Sequence, residues 1–157
     1  MKIIKRILIF LLVILVVMQF FAPQKNDGEL SSLVAFVDET KPPKEVHDIL
    51  KNTCFDCHSN VTTYPWYNAI TPVNFWLDEH IQDGKKHLNF SNWAEYTLKK
   101  KEHKMDELHE EVEKGEMPLN SYTYTHADAN LTPGQIAAVV AWGKKVQADY
   151  KQQMIAE

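Results

Sequence analysis

Cys54-Phe55-Asp56-Cys57-His58 closes a stretch in which Val46, Ile49, Leu50 and Thr53 recur at i, i+3, i+4 and i+7. That spacing is one face of an α-helix, and Pro43 suits its first turn because a proline there forfeits no helical hydrogen bond. Two thiols and an imidazole are therefore expected at a helix C-terminus. Downstream, Thr71 and Pro72 read as the N-cap and first residue of a helix that stops at Gly84, with Val73, Trp76, Leu77, His80 and Ile81 along one side. A third helical region runs from Ser91 to Gly115, with Met105, Leu108 and Val112 on one face and a break expected in the charged run 99–104. The last helix opens with Thr132-Pro133-Gly134-Gln135, where Thr132 and Gln135 can form a capping box, and should bury Ile136, Val139, Val140, Gly143 and Val146. No segment alternates at period two, although residues 120–125 read as extended, so the expected fold class is all-α.

Outward from this region, the N-terminus has its own composition. Lys2, Lys5 and Arg6 precede an apolar run, Ile7–Ala22, interrupted only by Gln19. The run ends in bulky Phe20 and Phe21 rather than in a small-residue cleavage site, so residues 1–22 are expected to stay as a single N-terminal transmembrane anchor. Residues 23–42, with Pro, Asp, Gly, Ser and Thr, read as a tether, and residues 43–157 as the one globular domain. The basic flank places the rest of the chain on the outer, periplasmic side of a bacterial inner membrane. Beyond residue 26 lie 13 basic and all 21 acidic residues, a net charge of −8. An acidic domain repels nucleic-acid phosphate and excludes that class of partner.

Cys54 and Cys57 are the chain's only cysteines. Two thiols at i and i+3 can add to the two vinyl groups of a haem while His58 ligates its iron, the chemistry of c-type attachment. The alternatives are a thioredoxin-like dithiol, a structural disulfide or half of a zinc site. The first lacks a βαβ context, and zinc needs two further ligands from the remaining histidines. For the sixth iron position Met117, between Gly115 and Pro118, is the first candidate, because a loop thioether is a soft ligand that raises haem potential. His80 is the rival and His126 the third, while His47, His87, His103 and His109 lie among charged or loop residues and are expected in solvent. Tyr64, Trp66, Tyr67, Phe75, Trp76, Phe90 and Trp93 offer flat surface for a porphyrin, or ordinary core packing.

The strings Cys54-Phe55-Asp56-Cys57-His58-Ser59-Asn60, Tyr64-Pro65-Trp66-Tyr67, Thr71-Pro72-Val73, Leu88-Asn89-Phe90-Ser91 and Gly115-Glu116-Met117-Pro118, together with His80, Tyr122, His126, Ala129 and Trp142, follow one another in a recognisable order. In this the chain resembles the bacterial haem-binding-domain family of small c-type cytochrome-like proteins, over roughly residues 43–145. The resemblance implies a cytochrome-c-like helical domain around one haem c held at Cys54, Cys57 and His58. It also sets Met117 where cytochromes c carry the distal ligand, and keeps His80 and His126 as pocket residues.

The expected function is a membrane-anchored monohaem carrier of single electrons between redox protein donors and acceptors. It is not expected to be an enzyme, because a lone six-coordinate iron has no open position for substrate. The alternative is a haem-based sensor or binder of CO, NO or peroxide, with a labile sixth ligand.

Overall fold

A computed structural model describes residues 2–156. Its helices are α1 (Lys2–Met18), α2 (Val34–Thr40), α3 (Lys44–Thr53), α4 (Phe55–His58), α5 (Val73–His87), α6 (Leu98–Lys114), α7 (Asn120–Thr123) and α8 (Pro133–Ala156). Four 3₁₀ turns lie between them, at Leu30–Leu33, Trp66–Ala69, Phe90–Glu95 and Ala127–Ala129. Among the described residues there is no strand, only an isolated bridge between Asp27 and Val61. The all-α expectation holds in this respect.

The transmembrane helix does not hold. Among the described residues no helix is long and apolar enough to cross a membrane. The 17 residues of α1 span about 25 Å at ~1.5 Å per residue, against a hydrocarbon core of roughly 30 Å. The apolar run continues to Ala22, but the helix ends at Met18 because the next residue is drawn into the domain. The Gln19 amide donates to the carbonyl of Thr71 (2.9 Å) and accepts from its N–H (3.0 Å), and the Thr71 hydroxyl donates to the carbonyl of Phe21.

The stretch expected as a tether is also folded. Leu33 and Phe36 lie in the core, Phe36 with no exposed surface, and burying each such side chain is worth roughly 1.5–3 kcal/mol. Asn26 is buried too, and binds the loop that follows α4. Its side-chain amide donates to Ser59 O (2.8 Å) and Thr62 Oγ1 (2.9 Å), and its carbonyl accepts from Thr62 N–H (2.9 Å). Lys85 of α5 donates to Asn26 Oδ1. Residues 26–40 thus form a strap across the front of the domain.

The main core lies between α6 and α8, the most extensive helix pair. Met105, Leu108 and Val112 of α6 meet Val139, Trp142 and Val146 of α8, and the aromatic group Phe36, Phe55, Phe90 and Trp93 fills the space between these helices and α3. At the start of α8 the capping box is present: Gln135 Oε1 accepts from Thr132 N–H (2.8 Å), and Gln135 N–H donates to Thr132 Oγ1 (3.3 Å). Residues 120–125 are not extended, since 120–123 form α7.

Candidate functional site

The end of α3 runs directly into α4, so the five-residue motif is wound rather than loose. Cys54 N–H donates to Leu50 O (2.9 Å), and His58 N–H to Cys54 O (2.9 Å). Phe55 anchors this turn in the aromatic core. That leaves Cys54, Cys57 and His58 facing a cavity of about 950 Å³ lined mainly by apolar groups, large enough for a bulky organic cofactor. Met117, His80 and His126 line the same cavity. All six candidate residues are therefore brought to one space from α4, α5 and the segment after α6.

Each element places its residue for a local reason. Gly84 was expected just past the end of α5, yet the helix continues to His87 and the glycine lies inside it. A Cβ there would meet Cys57 O at 2.7 Å and Cys57 Cβ at 3.1 Å. Its role is close approach of α5 to the Cys54–His58 turn, not a stop. Gly115, by contrast, does end α6, with φ of 73°. The reversal lets Glu116 and Met117 N–H both reach Glu111 O (3.0 and 3.2 Å), and so sets Met117 against the core beside the cavity.

Three imidazoles share one arrangement. His58 Nδ1 lies 3.0 Å from Leu88 O, His80 Nδ1 2.8 Å from Trp76 O, and His126 Nδ1 3.1 Å from Tyr122 O. A carbonyl only accepts, so each Nδ1 carries a proton and Nε2 is the nitrogen left to face a metal. Burial holds the His58 pKa below the ordinary value, with the Leu88 carbonyl opposing the shift. The ring is therefore neutral at pH 7.

Both cysteines are free thiols. Burial pushes Cys54 up to about 12, aided by Cys57, and pushes Cys57 up to about 11, aided by the Asp56 carboxylate. They are protonated at neutral pH, unlike the activated thiolate of a dithiol oxidoreductase. No group of three or more His, Cys, Asp or Glu residues arranged to hold a metal ion is present among the described residues, which removes the structural support for zinc.

Sequence reasoning gave no role to Tyr122. Its hydroxyl donates to Asp56 Oδ2 (2.8 Å), between the two cysteines, and its ring stacks on His126 at 4.0 Å and 12°. It ties the Cys54–His58 turn to the opposite rim of the cavity. Burial, then the Asp56 charge, raises its pKa. Of the aromatic residues expected around a porphyrin, Tyr64, Trp76 and Phe90 line the cavity, while Trp66 is exposed and Trp93 is wholly in the core. The Tyr67 hydroxyl is buried without a partner, with its ring 6.4 Å from that of His126. The Nε2 atoms of His58, His80 and His126 and the apolar walls together fit a large flat cofactor with polar edges. His109 is not in solvent as expected but buried between α6 and α8, with Nε2 3.2 Å from Gln147 Oε1.

The sequence profile of the haem-binding domain family matches residues 13–145, most of the chain. The chain belongs to this family. It is a haem-binding protein, and the cavity carrying Cys54, Cys57 and His58 is the place in it that fits haem. Neither a curated protein nor a solved structure matches the chain. The family match begins at residue 13 and so takes in the strap as well as the helices from α3 onward.

Proposed function

We propose that this haem-binding protein is a monohaem c-type cytochrome that carries single electrons in the periplasm between redox proteins and is not an enzyme. The observation that carries the reading is the meeting of Cys54, Cys57 and His58 on one cavity, with His58 Nδ1 tied to Leu88 O so that Nε2 is the ligating atom. Cys54 and Cys57 would hold the haem through thioether links, and His58 and Met117 would supply the nitrogen and sulfur ligands of its iron. Bound there, the haem iron supplies a reversible one-electron couple. The protein's part is to hold His58 neutral, to close the attachment turn with Gly84 and Tyr122, and to keep water from the apolar face of the cavity.

The test is spectroscopic. Matured with c-type attachment machinery, the protein should keep its haem through denaturing gel electrophoresis, and the Cys54→Ala/Cys57→Ala variant should lose it. Covalent haem in that variant would end the reading. Met117→Ala should abolish the thioether-to-ferric charge-transfer band at the red end of the spectrum and lower the reduction potential, whereas His80→Ala should leave the band in place. The reverse pattern would make the iron bis-histidine.

One observation favours the second reading, a haem-based sensor or small-ligand binder. His80, His126 and Met117 all border the cavity, so several donors compete for one remaining iron position. Rapid, complete CO binding by the ferrous protein would favour exchange at that position, and indifference to CO the carrier.

A further inference from the structure

The aromatic core forms a continuous series of rings that starts at His58. The Phe90 ring lies 6.3 Å from that of His58, Phe36 4.4 Å from Phe90, Trp93 5.1 Å from Phe36, and Tyr150 6.4 Å from Trp93. The chain then continues in hydrogen bonds. Trp93 Nε1–H donates to the Tyr150 hydroxyl (3.2 Å), which donates to Glu39 Oε1 (2.8 Å). Both Glu39 oxygens also accept from Lys101 Nζ (2.8 and 2.7 Å). The series begins at the haem-attachment turn and ends at a surface ion pair.

Indole and phenol are the oxidisable side chains of this series, and the rings of Phe90 and Phe36 bridge the gap from His58 to the indole. A phenol becomes a strong acid when it loses an electron, so its oxidation is easiest where a base already accepts its proton. Tyr150 has that base in Glu39. Tyr96 is nearer to Trp93 (5.6 Å) but receives a hydrogen bond from Asn89 N–H and has the Lys100 ammonium 3.8 Å from its ring centre, so positive charge on it is disfavoured. Tyr150 is the better terminus.

We propose that Phe90, Phe36, Trp93 and Tyr150 form a relay that draws oxidising equivalents from the haem site to a tyrosine whose proton passes to Glu39. The inference rests on haem being attached at Cys54 and Cys57 and on the exchangeable sixth position of the second reading, because peroxide needs an open iron site. The oxidant is a peroxide, whose O–O bond breaks as it takes two electrons at the haem site and two protons from solvent to give water. Tyr150 returns one of those electrons through Trp93 and gives its phenolic proton to Glu39, leaving a neutral phenoxyl radical. A one-electron reductant in solution supplies the second electron and later reduces the radical. The relay spares the porphyrin from oxidation when peroxide reaches it.

The experiment mixes the ferric holoprotein with hydrogen peroxide, freezes it within milliseconds and records the electron paramagnetic resonance spectrum. A tyrosyl signal that narrows on ring deuteration of tyrosine is expected, and Tyr150→Phe should remove it and speed haem bleaching several-fold. Glu39→Gln, which keeps the ring and its packing, should lower radical yield several-fold, while Tyr96→Phe should leave it unchanged. A signal of equal yield in Tyr150→Phe, or haem protein that gives no radical, overturns the relay and leaves the cytochrome reading standing. A protein isolated without haem overturns both.

Discussion

At the residue scale the thiols give a pH dependence whose sign is fixed. Both have folded-state pKa values raised from 9.0, to about 12 for Cys54 and about 11 for Cys57. Between 9 and these values the folded chain holds more protons than the unfolded one, so before haem attachment stability falls as pH rises through that window. Urea midpoints measured at about pH 8 and about pH 10 should show the drop, and Cys54→Ala/Cys57→Ala should lose most of it. If haem is joined through both sulfurs as proposed, the loaded chain has no thiol proton left to titrate and should follow the alanine variant. Equal slopes in the free-thiol chain and the variant would show that the thiols are less buried than described.

At the scale of elements, Gly143 sets how closely α8 lies on α6. A Cβ there would come within 2.9 Å of His109 Cβ and 3.8 Å of its Cα, atoms that cannot swing aside. Gly143→Ala is therefore expected to destabilise by about 1–3 kcal/mol, read as a lower melting temperature, with the haem spectrum retained because His109 lies outside the cavity. An unchanged or raised melting temperature would mean that the helices separate at little cost. This contact also marks where the sequence stopped being legible. The buried face of α8 was readable from its period, because Val139, Val140, Gly143 and Val146 follow helical spacing and the cap residues are adjacent in the chain. That His109 faces this surface was not, since it stands in a helix rich in charge and its partner Gln147 is 38 residues away. The same division applies at the site. Cys54, Cys57 and His58 announce themselves by adjacency, whereas Tyr122 meets Asp56 across 66 residues and Gly84 meets Cys57 across two helices. Gly84 imitated a helix stop because glycine serves both for left-handed caps and for close approach. The region from Ser91 to Gly115 was read as one helix with a break among the lysines, but the break falls at Tyr96, where Thr97 caps Lys100 N–H and restarts the chain as α6.

For the whole molecule, the strap decides where the protein can be cut. Removing the apolar α1 is the obvious step in making the protein easier to handle, and helical periodicity alone suggests starting at residue 43. Such a chain would discard Leu33, Phe36 and every bond of Asn26, on the order of 3–6 kcal/mol from the two apolar side chains alone, out of the 5–15 kcal/mol of a typical domain. A chain starting at Gln19 keeps all of these, together with the paired bonds to Thr71. The first is expected to lack a cooperative melt, and the second to melt within a few degrees of the full protein, as followed by circular dichroism. If the shorter chain melted like the longer one, the strap would be only draped over the domain. If not, the strap is the clamp on the loop that follows His58, and trimming it sets Ser59 and Thr62 loose from Asn26.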